Sequence, residues 1–344
     1  MTTNNIRFLL VLTAATLLST GAVAQQENNN AFNFLNVTPS SHVYALGGHN
    51  VALIDDDINL VEQNPALLGP EFDHQVGLGY MRYIGGTNVM SARYGQGLRE
   101  HNAIGGAIQY YGYGSLTETD ATGAVLGQFG ARDLAISATY SHDISGYWRG
   151  GATLKFISSK YAEYSSAALA VDLGVSYYNP DNEFSVGLVI KNLGGQLKKF
   201  ADRSDKLPWD IQVGFSKMLK SFPLRFGVTA YGLRYWHLPY YSPADKNNTS
   251  SELKEHDSFG SNLLRHLVFA VEVLPTQSTY IGIGYNYRTR TDMSTYKRSI
   301  LSGFSIGGGI KVKAFGIGIA FAQPHTGANT FMFNLTTNIG ELMH

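Results

Sequence analysis

The chain has no cysteine, which excludes disulfides, thiol catalysis, cysteine-ligated metals and an N-terminal lipid anchor on cysteine. Charge is scarce as well. Only 15% of residues are Asp, Glu, Lys or Arg, against about 25% in ordinary soluble domains. The 26 basic and 26 acidic residues cancel and form no basic block, so nucleic acid is not an expected partner. No apolar run is long enough for a spanning helix, which needs about 20 residues. The ten histidines are scattered, with no His-x-x-x-His pair and no carboxylates clustered at metal spacing. Neither a metal nor another cofactor is expected.

What the chain does have is glycine, tyrosine and phenylalanine, at 38, 21 and 18 residues, arranged with period 2. In residues 267–274, Leu267, Phe269, Val271 and Val273 alternate with Val268, Ala270 and Glu272. In 168–177, Leu169, Val171, Leu173 and Val175 oppose Ala170, Asp172, Gly174 and Ser176. Some fourteen such segments follow Gln75, and alternation of this kind is the strand signature. Low charge with one apolar face per strand fits a barrel in lipid, whose apolar side points outward and whose small and polar side faces the lumen. The expected fold is all-β: a transmembrane antiparallel barrel of about fourteen strands with a short N-terminal plug or helical segment.

The N-terminus reads as a secretory signal. Arg7 precedes an apolar stretch over 8–18, and Ala22-Val23-Ala24 offers small residues for cleavage, too short a unit to span a bilayer. The expected organisation is therefore a signal peptide over 1–24, a periplasmic or plug segment over 25–70 and an outer-membrane barrel over 71–344. Tight connectors are expected near 97–100, 145–147, 179–182, 220–223, 275–278 and Lys313. Long ones are expected over 113–130, 159–167, 194–207, 236–262 and 289–298. Barrels keep short turns on the periplasmic side, so the long links and both mature ends are assigned to the outside and the periplasm respectively. Tyr80, Tyr83, Tyr94, Tyr147, Trp148, Tyr177, Trp209, Tyr231 and Trp236 are the expected interfacial belts.

Several runs carry a family resemblance. Phe34-Leu35-Asn36-Val37-Thr38-Pro39, Ala45-Leu46-Gly47-Gly48-His49-Asn50, Asp55-Asp56-Asp57 and Asn64-Pro65-Ala66-Leu67-Leu68 open the mature chain. Tyr164 to Gly174, Lys191-Asn192-Leu193-Gly194-Gly195 and Leu263-Leu264-Arg265-His266 continue the series. Together they resemble the PorV/PorQ family of type IX secretion barrels, within the wider FadL-like superfamily. The resemblance implies a fourteen-stranded barrel anchoring the cell-surface attachment machinery. It further implies partners: a PorZ-like surface protein, a sortase, a PorV-like barrel that shuttles cargo, and lipopolysaccharide.

Candidate sites follow from residue type. Asp172, Lys191, Arg225 and Glu272 fall on lumen positions, where pairing is the expected state because an unpaired buried charge is costly. Asn64, Pro65 and Ala66 form the plug motif. Three adjacent acids, Asp55 to Asp57, cannot converge on the six to eight oxygens of a calcium site; a capped turn opening a short helix over 58–63 is expected. The Gly303-x-Ser305-x-Gly307 pattern lies in a strand-like run and lacks the strand-to-helix turn of a nucleophile elbow, so no catalytic residue is assigned. In the longest link, Trp236, Tyr240 and Tyr241 are aromatics of the kind found at interface hot spots. Lys198 and Lys199 are a second partner-binding candidate, with lipopolysaccharide phosphates as the ligand. Three function classes remain: a surface anchor, a transporter of hydrophobic small molecules or a cargo shuttle, and an outer-membrane hydrolase, for which no Ser/His/acid set is found. The fold does not choose among them.

Overall fold

The computed structural model describes residues 30–200, 204–243, 253–292, 301–325 and 328–342; the signal-peptide assignment over 1–24 lies outside them. Fourteen strands close into one antiparallel barrel. In chain order they are β1 (Gln75–Arg82), β2 (Asn88–Gly97), β3 (Asn102–Thr119), β4 (Val125–Ser145), β5 (Trp148–Tyr161), β6 (Tyr164–Asn179), β7 (Phe184–Lys198), β8 (Asp210–Met218) and β9 (Leu224–Ala230). A two-stranded hairpin, β10 (Tyr240–Pro243) and β11 (Leu253–His256), stands apart, and the barrel resumes with β12 (Leu267–Thr276), β13 (Thr279–Asn286), β14 (Phe304–Val312), β15 (Phe315–His325) and β16 (Ala328–Asn338). Pairing of β1 with β16, from Gln75 opposite Asn338 to Arg82 opposite Phe331, seals the cylinder. A sealed ladder leaves no backbone group facing lipid unpaired.

The period-2 pattern becomes two surfaces. Leu78, Ile104, Ile136, Leu173, Phe269, Val271, Ile283, Ile319 and Phe331 point out and stay exposed, which in water would be a large apolar liability. That outward band is the lipid-facing belt of a membrane-spanning barrel. Inward positions carry Gly, Ser, Thr and the buried charges.

Tight turns fall where expected, near 98–101, 146–147, 180–183, 219–223, 277–278 and 313–314. Two expected long links do not exist as loops. Most of 113–130 is β3 and β4, which stay paired out to Thr119 and Val125, and β5 and β6 are joined by Ala162 and Glu163 alone. A ladder satisfies its own backbone groups whatever its side chains, so polar strand continues past the point where apolar alternation fades.

The segment before β1 fills the lumen. It holds a 3-10 turn (Asn33–Asn36), helix α1 (Ser41–Ala45) and 3-10 turns at Ile58–Glu62, Pro65–Leu67 and Pro70–Phe72. Ser40, Asp57 and Asn64 cap these turns, each accepting a backbone N–H two or three residues on. Val43, Leu46, Leu53, Leu60 and Leu67 form the plug's own apolar core. The described chain begins at the end opposite the tight turns: Asn30 bridges Lys206 in the β7–β8 link, and the Ala31 N–H donates to the Lys206 carbonyl at 3.0 Å. The other end of the chain lies at the tight-turn side, where Ile339 N–H donates to the His74 carbonyl. The expectation that both mature ends share one side is thus corrected for the described residues. Phe32, Phe34 and Leu35 supply the reason, since they bury against Tyr111, Ile157, Ala168 and Leu207 near the mouth.

The aromatic belts need a correction too. Tyr80, Tyr94, Tyr147 and Trp148 are exposed on the outer face. Tyr83 packs against the plug cluster, and Tyr231 is buried and stacked on His49 at 4.0 Å. Both have the parity of inward neighbours, Met81 and Thr229, and strict alternation turns them inward.

Candidate functional site in the plugged lumen

The plug is seated on glycine. Inward-facing Gly174 of β6 and Gly187 of β7 leave room for plug backbone; a Cβ on Gly174 would lie 1.9 Å from Asn64 Oδ1, and one on Gly187 2.0 Å from the Val51 carbonyl oxygen. Into this space fits the Asn64-Pro65-Ala66 turn. Asn64 Oδ1 accepts the Ala66 N–H at 3.0 Å, and its amide donates to the carbonyls of Val51 (3.1 Å) and Val175 on the wall (3.3 Å). The motif is therefore both a cap and a dock.

Charge then fixes the plug to the wall. Glu62 is buried between Arg93 of β2 and Lys155 of β5, at 3.2 Å from each. Burial by itself opposes its ionisation, but the Lys155 and Arg93 charges prevail and hold its carboxyl down to about 2. Lys155 also meets Asp172 of β6 at 2.6 Å and Asn192 Oδ1 at 3.2 Å. Asp172 accepts the Asn192 N–H at 2.7 Å where β7 bulges against β6 and Asn192 adopts φ 56°. Lys191 faces the same lumen, 5% exposed, and makes no ion pair with a described residue.

A second cluster lies nearer the tight turns. Glu272 of β12 meets His42 of α1 at 2.5 Å and Arg225 of β9 at 2.8 Å. Arg225 also reaches Asp55 at 3.1 Å and the Ile54 carbonyl at 2.9 Å. His42 stacks on Tyr280 with ring centroids 3.6 Å apart. Burial alone would lower its pKa, yet the Glu272 charge and hydrogen bond raise it above the ordinary value. At the tight-turn rim Asp56 pairs with Lys311, and Glu71 pairs with Arg149 at 2.7 Å. Asp55, Asp56 and Asp57 thus turn to three partners: Arg225, Lys311, and the Asn59 N–H that Asp57 caps. The short helix expected over 58–63 is the 3-10 turn Ile58–Glu62.

Of the four lumen charges singled out from sequence, Asp172 belongs to the Glu62 cluster and Arg225 and Glu272 to the His42 cluster. Sequence reading passed over Lys155, Arg93, Glu62, His42 and His49. For Lys155 the signal was present, since it shares inward parity with Thr153 and Ile157. The plug residues gave no comparable signal, because their partners lie 31 to 230 positions away.

Between plug and wall at the long-link end lies a cavity of about 290 Å³, lined among others by Tyr44, His49, Tyr83, Tyr231, Asn286 and Ala322. Tyr231 donates its hydroxyl to Asn286 Oδ1 at 3.0 Å. Burial first, then the nearby Lys191 and Arg288 charges, push the His49 imidazole down to about 3. It is therefore a neutral ring at ordinary pH. Ser305 is no exposed nucleophile: it sits on β14 and donates to the Ala45 carbonyl at 2.9 Å.

The exterior residues take defined places. Trp236 stacks on His266 at 5.2 Å, and Tyr240 stacks on His256 at 4.6 Å and bonds the Tyr287 hydroxyl at 3.1 Å. Tyr241 is exposed and donates to Glu255 at 3.3 Å. His266 closes helix α2 (Phe259–His266), whose Phe259, Leu263 and Leu264 are exposed while Asn262, Arg265 and His266 are buried. Lys198 donates to Ser165 Oγ at 2.6 Å, and Lys199 is exposed.

Fold and site together define a fourteen-stranded, plugged barrel with an apolar outer belt, a fold it shares with solved structures. The toluene transporter TbuX of Ralstonia pickettii matches with TM-score 0.51 and 12% identity over 89% of this chain and 98% of that one. A deletion mutant of the monoaromatic hydrocarbon channel TodX matches with TM-score 0.52 and 11% identity over 87% and 98%. The toluene transporter TodX of Pseudomonas putida matches with TM-score 0.50 and 11% identity over 86% and 95%. No protein-family model and no curated protein matches the sequence.

Proposed function

We propose that the protein admits small hydrophobic molecules at the outer membrane, with the tight turns facing the periplasm. The observation that carries this reading is the aromatic-walled cavity between plug and barrel at the long-link end, in a fold shared with hydrocarbon channels. Its size sits at the lower edge of ligand pockets, roughly 300–1,000 Å³, and its mix of rings with a few polar groups is what such pockets use. Tyr44, Tyr83 and Tyr231 supply apolar faces, Asn286 and neutral His49 supply uncharged polarity, and Arg288 and Asp292 bring the charged groups of the lining. The plug core of Val43, Leu46, Leu53 and Leu60 fills the lumen beyond it, so a bound molecule passes on only if the plug shifts or the wall parts. Toluene binding by the purified barrel, measured by calorimetry, tests the reading: a saturable heat that Ala322→Phe abolishes supports it, and no heat in the wild type rejects it.

A second reading is favoured by the exterior and by the sequence resemblance: a membrane anchor for a PorZ-like surface protein of the type IX attachment complex, beside lipopolysaccharide. The β10–β11 hairpin and α2 form a folded platform with Tyr241 and Phe259 exposed, the sort of aromatic that interfaces use as anchors. A pull-down from solubilised outer membranes separates the two readings. A stoichiometric surface protein, lost when residues 240–258 are replaced by a Gly-Ser bridge, supports the anchor.

A further inference from the structure

Helix α2 carries its amphipathicity inverted. A helix on a protein surface in water turns its apolar stripe to the core and its polar face to solvent. In α2 the polar residues face in. Asn262, Arg265 and His266, spaced i, i+3 and i+4, are 1–3% exposed, whereas Phe259, Leu263 and Leu264 occupy the opposite side and point away from the protein, Phe259 with 71% exposure. The inner face is pinned. Asn262 Oδ1 accepts the Leu238 N–H at 3.0 Å, and its amide donates to Asp257 at 2.7 Å. Arg265 donates to Thr291 Oγ1 and, at 2.6 Å, to Asp292 Oδ1. The His266 ring nitrogens lie 2.8 Å from the Tyr231 carbonyl oxygen and 3.2 Å from that of Trp236. The helix therefore cannot roll to hide its leucines without orphaning buried polar groups, each at the cost of its desolvation.

The position of the helix says what covers that outer face. It runs without a break into β12, whose Phe269, Val271 and Val273 belong to the lipid-facing belt. Beside its root, Phe269 is paired with Tyr285 of β13, and Tyr285 with Phe304 of β14, ring centroids 4.6 Å apart. A row of aromatics at the strand ends marks the edge of a bilayer. β12 and β13 have 10 and 8 residues, against roughly 9–11 needed to cross the hydrocarbon core. The wall here has no length to spare, so the bilayer surface comes level with α2. Trp236, its ring 5.3 Å from that of Phe259, adds a side chain suited to the headgroup zone. We infer that α2 is seated in the membrane interface at the long-link end, with Phe259, Leu263 and Leu264 among the lipid acyl chains. Arg265, its guanidinium 5.3 Å from the Tyr240 ring centroid, then ties the β10–β11 hairpin to the bilayer. The inference stands on the exterior and holds under either reading of the lumen; under the anchor reading it leaves Tyr241, rather than Phe259, for the surface protein.

Because the chain has no cysteine, Leu263→Cys gives a single attachment point for a nitroxide spin label. Phe259→Cys is an independent second site, and Glu255→Cys, exposed on β11, is the water-side reference. Each full-length variant is folded into dimyristoylphosphatidylcholine vesicles and accepted when it keeps heat-modifiable mobility. Collisions of the label with oxygen, which concentrates among acyl chains, and with a water-soluble nickel chelate are then measured by electron paramagnetic resonance. Labels at 263 and 259 are expected to meet oxygen more than nickel, at a depth of about 5–10 Å inside the headgroup boundary, while the label at 255 shows the reverse. A label at 263 as open to nickel as the one at 255 would overturn the inference. So would labels at 263 and 259 shielded from both reagents, the result if protein rather than lipid covers the face.

Discussion

Lys155 of the barrel wall holds Glu62 of the plug at 3.2 Å, both side chains almost wholly removed from solvent. The pattern repeats down the lumen: Asp55, Asp56, Glu62 and Glu71 on the plug each meet a wall base, Arg225, Lys311, Lys155 with Arg93, and Arg149. In these contacts the plug supplies the acid and the wall the base, and the His42–Glu272 pair runs the other way. Removing one member of such a buried pair leaves the other uncompensated, at about 3–5 kcal/mol. Glu62→Gln should therefore lower the unfolding free energy by that order and shift the denaturant midpoint down with it, with Arg93 and Lys155 left beside one carboxylate, Asp172. An unchanged midpoint would mean that water, rather than Glu62, satisfies Arg93.

The glycine seat gives a cleaner test of docking. At Gly174 a methyl group would collide with Asn64, and overpacking of this kind costs about 1–3 kcal/mol. Gly174→Ala is expected to expose the plug to protease while the barrel stays closed. Gly195→Ala, where a Cβ meets nothing within 4 Å, is the control and should leave the digestion pattern unchanged.

Proton linkage sets a pH window for the plug. The folded pKa of His42 lies above the ordinary 6.5. Its stabilising contribution is full below 6.5 and is lost as pH rises through the folded value. Glu62 moves the other way, from 4.5 to about 2, so its contribution is present above 4.5 and lost as pH falls through about 2. His49, lowered from 6.5 to about 3, is neutral when folded, and its preference for the folded state fades as pH falls between those values. Plug protection against protease should thus peak near neutrality. His42→Gln should flatten the alkaline limb and His49→Gln the acid limb. A profile unaffected by His42→Gln would remove the Glu272–His42 bond from the docking scheme.

The outer face makes its own demand. Val271 is 45% exposed at mid-strand, and arginine on the lipid face costs about 2–4 kcal/mol at the bilayer midplane. Val271→Arg should reduce folding yield into vesicles and lower the unfolding midpoint accordingly. An equally stable variant would invert the assignment of the two faces.

Strand number and facing were readable because alternation is local: Phe269 and Val271 declare one side, Ala270 and Glu272 the other, with no knowledge of neighbours. Parity also forecast lumen positions for Asp172, Lys191, Arg225 and Glu272, but not their partners. Glu62 meets Arg93 and Lys155 only through the path the plug takes, and that path depends on where Phe32 and Phe34 find cover. The seat for Asn64 was hidden for a related reason. Gly174 and Gly187 read as ordinary small inward residues until the plug turn is laid against them. Tyr231 was misplaced because aromatic type was given more weight than parity.

Uptake of radiolabelled toluene by cells that lack their own hydrocarbon barrel, with this protein supplied in their outer membrane, tests the proposed passage most directly. The expected result is faster uptake than in cells without it, lost in Ala322→Phe, which fills the cavity beside Tyr231 and His49, at equal surface abundance. Uptake no faster than in cells without the protein would contradict the transport reading and leave the platform of β10, β11 and α2 as the functional surface.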